Sequence, residues 1–179
     1  MIVLGLDPGT RVAGYGVVEA KGTRFRLVAA GALTAPPGDP LERRLARIAA
    51  GLREIVAAFR PDTAAMEDAF VREDARAALT IGQGRGALLC VLGENRIPVR
   101  SYPPASVKRA VAGNGRAGKE QVARMVGAIL GVPGLPEPLD ATDALAVAIA
   151  HGLAQRAQSI VGQGLAEEPK AQAGSAPSE

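Results

Sequence analysis

Ile2-Val3-Leu4-Gly5-Leu6-Asp7-Pro8-Gly9-Thr10 is the stretch on which the architecture turns. Apolar or small residues run unbroken into one carboxylate, and Pro-Gly follows at once. So short a run, bounded by turn residues, reads as a strand buried in the middle of a sheet. Asp7 then stands at the strand's C-terminal end, where Gly9 lets the backbone turn or come close to a phosphate. A carboxylate fixed to a rigid central strand suits a hard cation such as Mg²⁺. Alone it reads equally well as a turn-starting residue, so the rest of the chain must supply partners.

Within 179 residues, 47% apolar but only 3% aromatic and without Trp, one domain with an aliphatic core is expected. No apolar run approaches the ~18 residues of a membrane span. The opening carries no basic leader pattern, and the single Cys90 excludes an internal disulfide. A cytoplasmic location is the expectation. Residues 1–158 hold 20 Lys and Arg against 15 Asp and Glu, a basic surface that favours an anionic partner, nucleic acid first.

Residues 13–19 and about 24–34 read as strands joined by the turn Lys21-Gly22-Thr23, giving with the first strand a three-stranded antiparallel meander. A helix over about 41–59 carries the apolar stripe Leu41, Leu45, Ile48, Leu52, Ile55, Val56 and Phe59. Thr63–Met66 is a short buried strand that delivers Glu67 at its end, repeating the logic of Asp7; Asp68 should point to the opposite face. A helix over about 73–94 contains Gly82, Gly84 and Gly86, each costing roughly 1 kcal/mol, so the sheet or a second subunit must approach closely there. Ile97–Tyr102 reads as a fifth strand, followed by helices over about 104–112 and 119–130, a Pro/Gly loop at 132–138, and a last helix over about 140–157. Asp140 and Asp143 share a face of its first turn, where the helix dipole would favour them even as simple capping residues. The expected domain is 1–158, with an aperiodic, disordered tail at 159–179.

Gly113–Lys119 matches both G-x-x-x-x-G-K and, in part, G-x-G-x-x-G. Neither pattern follows a strand, and Glu120 stands where a phosphate loop needs Ser or Thr. The better reading is a basic helix–helix loop, in which Lys108, Arg109, Arg116, Lys119 and Arg124 suit phosphodiester contacts. Four carboxylates remain: Asp7 and Glu67 at strand ends, Asp140 and Asp143 on a helix that must pack on the sheet. Such an oxygen cage suits Mg²⁺ ions and displacement at phosphorus; no Cys/His cluster suggests zinc.

The order β-β-β-α-β-α-β-α resembles the ribonuclease H-like fold: an α/β protein with a five-stranded mixed sheet, three antiparallel N-terminal strands, and flanking helices. Gly5–Gly16, Met66-Glu67-Asp68-Ala69-Phe70, Ile81-Gly82-Gln83-Gly84-Arg85-Gly86, Val107–Val111 and Asp140–Ala146 resemble, in order and spacing, motifs of the bacterial RuvC family of four-way (Holliday) junction endodeoxyribonucleases. The resemblance implies that Asp7, Glu67, Asp140 and Asp143 are catalytic metal ligands, for two Mg²⁺ ions with Mn²⁺ as a substitute. It implies phosphodiester hydrolysis leaving 5′-phosphate and 3′-hydroxyl ends, assisted by Lys119. Phe70 would lie at the junction centre, and Arg72, Arg76, Lys108, Arg109, Arg116 and Lys119 would contact DNA. A homodimer through the glycine-containing helix and the RuvA–RuvB complex would be the partners. Asp68 departs from the Gln or Glu usual there, and His151 reads as a support beneath the acids. The rival expectations are an actin-like ATPase, for which 179 residues are too few, a non-catalytic adaptor of the same fold, and a nuclease for RNA–DNA hybrids.

Overall fold

The computed structural model describes residues 1–68, 75–132 and 139–166. Five strands form one sheet: β1 (Ile2–Asp7), β2 (Val12–Lys21), β3 (Arg24–Thr34), β4 (Thr63–Glu67) and β5 (Val99–Tyr102), in the spatial order β3-β2-β1-β4-β5. The first three are antiparallel neighbours, and β1–β4 and β4–β5 pair in parallel. The opening stretch is therefore the central strand, as its uninterrupted apolar character requires. Five helices flank the sheet: α1 (Leu41–Phe59), α2 (Ala75–Glu94), α3 (Pro104–Ala112), α4 (Lys119–Leu130) and α5 (Leu139–Ala166).

Strand alternation sorts the core into two layers. Leu4, Leu6, Ala64 and Met66 face α1 and α2, packing with Ile48, Leu52, Leu88 and Leu92. Val3 and Ala65 face the other side, with Val107 of α3, Val126 of α4 and Leu145 and Ile149 of α5. The same parity sends Asp7 and Glu67 to the α5 side and Asp68 to the α2 side.

The pairing of α5 with the sheet is unusually close, because glycines replace side chains at the contact. A Cβ placed on Gly5 would lie 1.9 Å from the Ala144 carbonyl oxygen; one on Gly14 would lie 2.1 Å from that of Asp140; one on Gly16 would meet Leu145 at 2.7 Å. The helix answers with small residues of its own, Ala141, Ala144 and Ala148, all fully buried.

Two boundaries differ from expectation. β2 is longer at both ends than 13–19, paired with β3 out to Val12–Thr34 and Lys21–Arg24. The last helix continues past 157 to Ala166: no proline follows Pro138 until Pro169, so nothing in the intervening sequence forces it to stop. Residues 73–74, expected in α2, and most of the expected 132–138 loop lie outside the described residues.

Gly5→Ala should destabilise the fold by about 3 kcal/mol or more, since the obstacle is helix backbone rather than a movable side chain. Gly38→Ala, where nothing lies within 4 Å, should change stability by less than about 0.5 kcal/mol. Urea unfolding of the two variants checks the contrast.

Candidate active site

Asp7 and Glu67 emerge from adjacent parallel strands. β1–β4 pairing runs to Leu6–Met66, so the next residue on each strand is an acid, about one strand spacing apart. Asp143 reaches the same place from the second turn of α5, one turn after Asp140. These three acids, with Lys108 of α3, Lys119 of α4, Pro104, Val107, Val122 and Ala146, line one pocket of about 280 Å³. The Nζ of Lys119 lies 3.4 Å from Asp143 Oδ2. A lysine in the first turn of a helix is opposed by the helix dipole, so the gain must come from the acids it faces. Asp140 sits one helical turn before Asp143; it does not line the pocket, but its charge is felt at Asp7.

The charge of the cluster is only partly compensated by Lys108 and Lys119. Burial raises the Asp7 pKa to about 7, aided by the charges of Asp143, Glu67 and Asp140 and opposed by Lys119. Glu67 is also raised, first by burial and then by Asp143, with Lys108 and Lys119 opposing. An all-oxygen donor set with excess negative charge is what a hard divalent cation requires. Among the described residues no three such side chains are already drawn together into a metal-holding group. The residues present thus fit Mg²⁺ by donor chemistry and by convergence on one pocket.

His151 lies on α5 just past the buried Ala148, fully buried itself, and does not line the pocket. Its Nε2 is 2.9 Å from the Thr63 hydroxyl of β4 and its Nδ1 is 2.7 Å from the Tyr102 hydroxyl of β5. Burial, then the Arg100 charge, lowers its pKa, so the ring is neutral. It bolts α5 to β4 and β5, a structural role beneath the acids.

The other expected residues divide. Arg109 and Arg116 are exposed and lie outside the pocket lining, the Arg116 amide being held by the Asn114 side chain. Arg76 is exposed in the first turn of α2. Phe70 and Arg72 lie outside the described residues. Of the three glycines of α2, Gly84 has its close approach within the chain: a Cβ there would meet the Gly9 carbonyl oxygen at 2.7 Å. Gly82 and Gly86 face open space. Sequence reasoning gave no role to Arg85, which donates to the Glu67 carbonyl oxygen; its only signal was its position inside the glycine motif.

Carboxylates at two adjacent parallel strand ends and near the start of a helix, over a sheet ordered β3-β2-β1-β4-β5, define a nuclease of the ribonuclease H-like class. The comparisons narrow this. Residues 3–151 match the family model described as crossover junction endodeoxyribonuclease RuvC. The chain is 46% identical over 151 residues to the crossover junction endodeoxyribonuclease RuvC of Moorella thermoacetica, covering 84% of this chain and 90% of that one. It is 50% identical over 151 residues to the Chloroflexus aggregans protein of the same name, covering 84% and 92%. The structure of T. thermophilus RuvC in complex with Holliday junction substrate superposes with a TM-score of 0.84 at 39% identity, covering 89% of this chain and 97% of that chain. The chain belongs to the RuvC family of crossover junction endodeoxyribonucleases.

The raised Asp7 pKa fixes a pH dependence for the metal-free protein. Folded Asp7 keeps its proton to higher pH than unfolded Asp7, so stability is fully present below about pH 4 and is lost as pH rises through about 7. In EDTA, Asp7→Asn should therefore melt higher than the parent at pH 8, by roughly 5 °C after allowing for solvent access, and equally at pH 4. Thermal melts at the two pH values read this directly.

Proposed function

We propose that this chain resolves four-way DNA junctions as a homodimer, nicking two opposed strands with Mg²⁺ and leaving 5′-phosphate and 3′-hydroxyl ends. The observation that carries the reading is the acid cluster at the strand ends sharing one pocket with Lys108 and Lys119. Asp7, Glu67, Asp140 and Asp143 would hold two cations per site, with Mn²⁺ as a substitute. When bound, Mg²⁺ supplies charge that withdraws electrons from the scissile phosphate and favours in-line displacement. Lys119, mostly exposed and paired with Asp143, places a further positive charge where the phosphoryl oxygens gain negative charge. Lys108, which lines the same pocket, grips the backbone, and Arg109, Arg116 and Arg76 contact DNA outside the pocket. Phe70 and Arg72 are assigned to the junction centre and its phosphates from the family motif alone. The RuvA–RuvB branch-migration complex and a cytoplasmic setting follow from the same membership. No helix among the described residues is long and apolar enough to cross a membrane.

The dimer has its own support. Leu79, Gly82, Gly86, Leu89 and Gly93 recur along α2 at spacings of 3 and 4, a seam for a second helix. Leu79 is 64% exposed and Leu89 38%, and all three glycines of the seam face open space. Two exposed leucines separated by bare backbone suit a close helix crossing. A two-fold axis through that crossing would set two active sites against two opposed strands.

With Mg²⁺ and a mobile four-way junction, paired nicks on opposed strands are expected, at least about a hundredfold reduced in Asp7→Asn and abolished by EDTA. Equal cutting of linear duplex or of an RNA–DNA hybrid would overturn the substrate assignment. Leu79→Glu should shift the protein to monomers in analytical ultracentrifugation and uncouple the two nicks.

A further inference from the structure

We propose that Arg85 is a positioning residue for Glu67, and that Asp68 is its counter-charge. The need arises from the sheet itself. The Asp68 amide donates to the Tyr102 carbonyl oxygen on the β5 side, at 2.8 Å. The Glu67 carbonyl belongs to the same trans peptide and so points the opposite way, towards β1. There β1–β4 pairing has ended at Leu6–Met66, and the carbonyl has no strand to meet. The Arg85 guanidinium takes that place: Nη1 donates to the Glu67 carbonyl oxygen at 3.0 Å, while Nη2 reaches the Ser101 hydroxyl and stands 3.3 Å from Asp68 Oδ1. One planar fork thereby ties α2 to the ends of β4 and β5.

The preceding residue completes the arrangement. Gly84 lies against the Gly9 carbonyl, two residues past Asp7. Adjacent residues of α2 thus touch both acid-bearing strand ends, Gly84 at β1 and Arg85 at β4. Glu67 needs such a hold because its own strand stops with it. Asp68, whose departure from the family motif left it without a role, balances Arg85 on the face of the sheet away from the pocket. The proposal rests on the nuclease reading for its kinetic arm only.

The test compares Arg85→Ala, Arg85→Gln and Arg85→Lys with an exposed control, Arg47→Ala, in the full chain. Mn²⁺ binding by the DNA-free protein is measured by calorimetry, alongside junction cleavage, junction affinity in EDTA and dimer content. Arg85→Ala is expected to weaken Mn²⁺ binding and to lower kcat by about tenfold or more each, as removing a support of a metal ligand does. Junction affinity and dimer content should stay within about twofold, and Arg85→Lys should recover part of the Mn²⁺ affinity. If Arg85→Ala does not fold by circular dichroism, Arg85→Gln, which keeps one donor for the Glu67 carbonyl, replaces it with a smaller loss expected. Unchanged Mn²⁺ affinity in a folded variant overturns the proposal, and so does a loss of junction affinity that accounts for the whole loss of cleavage. Parent protein that binds Mn²⁺ yet cuts no junction would refute the substrate reading, while the Mn²⁺ comparison would still decide the role of Arg85.

Discussion

Everything else in this structure depends on how closely α5 lies on the central strands. Gly5, Gly14 and Gly16 strip the sheet to bare backbone beneath the helix, and Ala144 and Ala148 strip the helix. The contact buries little side-chain area per residue. What it gains is proximity, with many dispersion contacts and almost no side-chain entropy lost, since Gly and Ala have none to lose. That proximity brings the first turn of α5 down to the level where β1 and β4 end. With a leucine at any of the three glycines, Asp143 would stand too high above the sheet to share a pocket with Asp7 and Glu67.

The same closeness creates an electrostatic conflict. Carboxylates half-removed from water repel one another, and Asp7 responds by holding its proton to about neutral pH. Lys108 and Lys119 relieve part of that repulsion from α3 and α4. The remainder is a local stability cost kept at a functional site, and a cation that binds there is linked to folding through it. The conflict is contained by supports that do not themselves face the pocket: His151 fastening α5 to Thr63 and Tyr102, and Arg85 fastening the end of β4 to α2.

The sheet and the acids were legible because each rests on local pattern. Short apolar runs ending in a carboxylate mark β1 and β4, and period-two alternation alone puts Asp7 and Glu67 on one face and Asp68 on the other. Amphipathic spacing marked α1, whose expected bounds agree with those observed. Arg85 was not legible as a functional residue: its partners are a backbone carbonyl 18 residues away and a hydroxyl 16 away, and an arginine on a helix reads first as a solvated charge. The purpose of the α2 glycines was legible as close approach but not as direction. Gly84 turns inward to Gly9, while Gly82 and Gly86 turn outward, a division that follows from helix rotation and the placement of the β1 turn. The length of α5 was underestimated because Gly162 and Gly164 fall in its last turns and weaken the helical signal there, although no proline stops the helix before Pro169.

The histidine support has an optical side. The chain has no tryptophan and two tyrosines. Tyr15 packs against Gly31, away from the acids; Tyr102 pairs in register with Glu67 and meets the His151 ring edge-on, with 5.7 Å between centroids. The tyrosine emission of this protein therefore comes from only two places, one of them a phenol hydrogen-bonded to an imidazole and paired in register with Glu67. Movement of β5 against α5 would alter that phenol's surroundings, so the molecule carries its own spectroscopic gauge of how firmly the acid-bearing elements are clamped, without any added label.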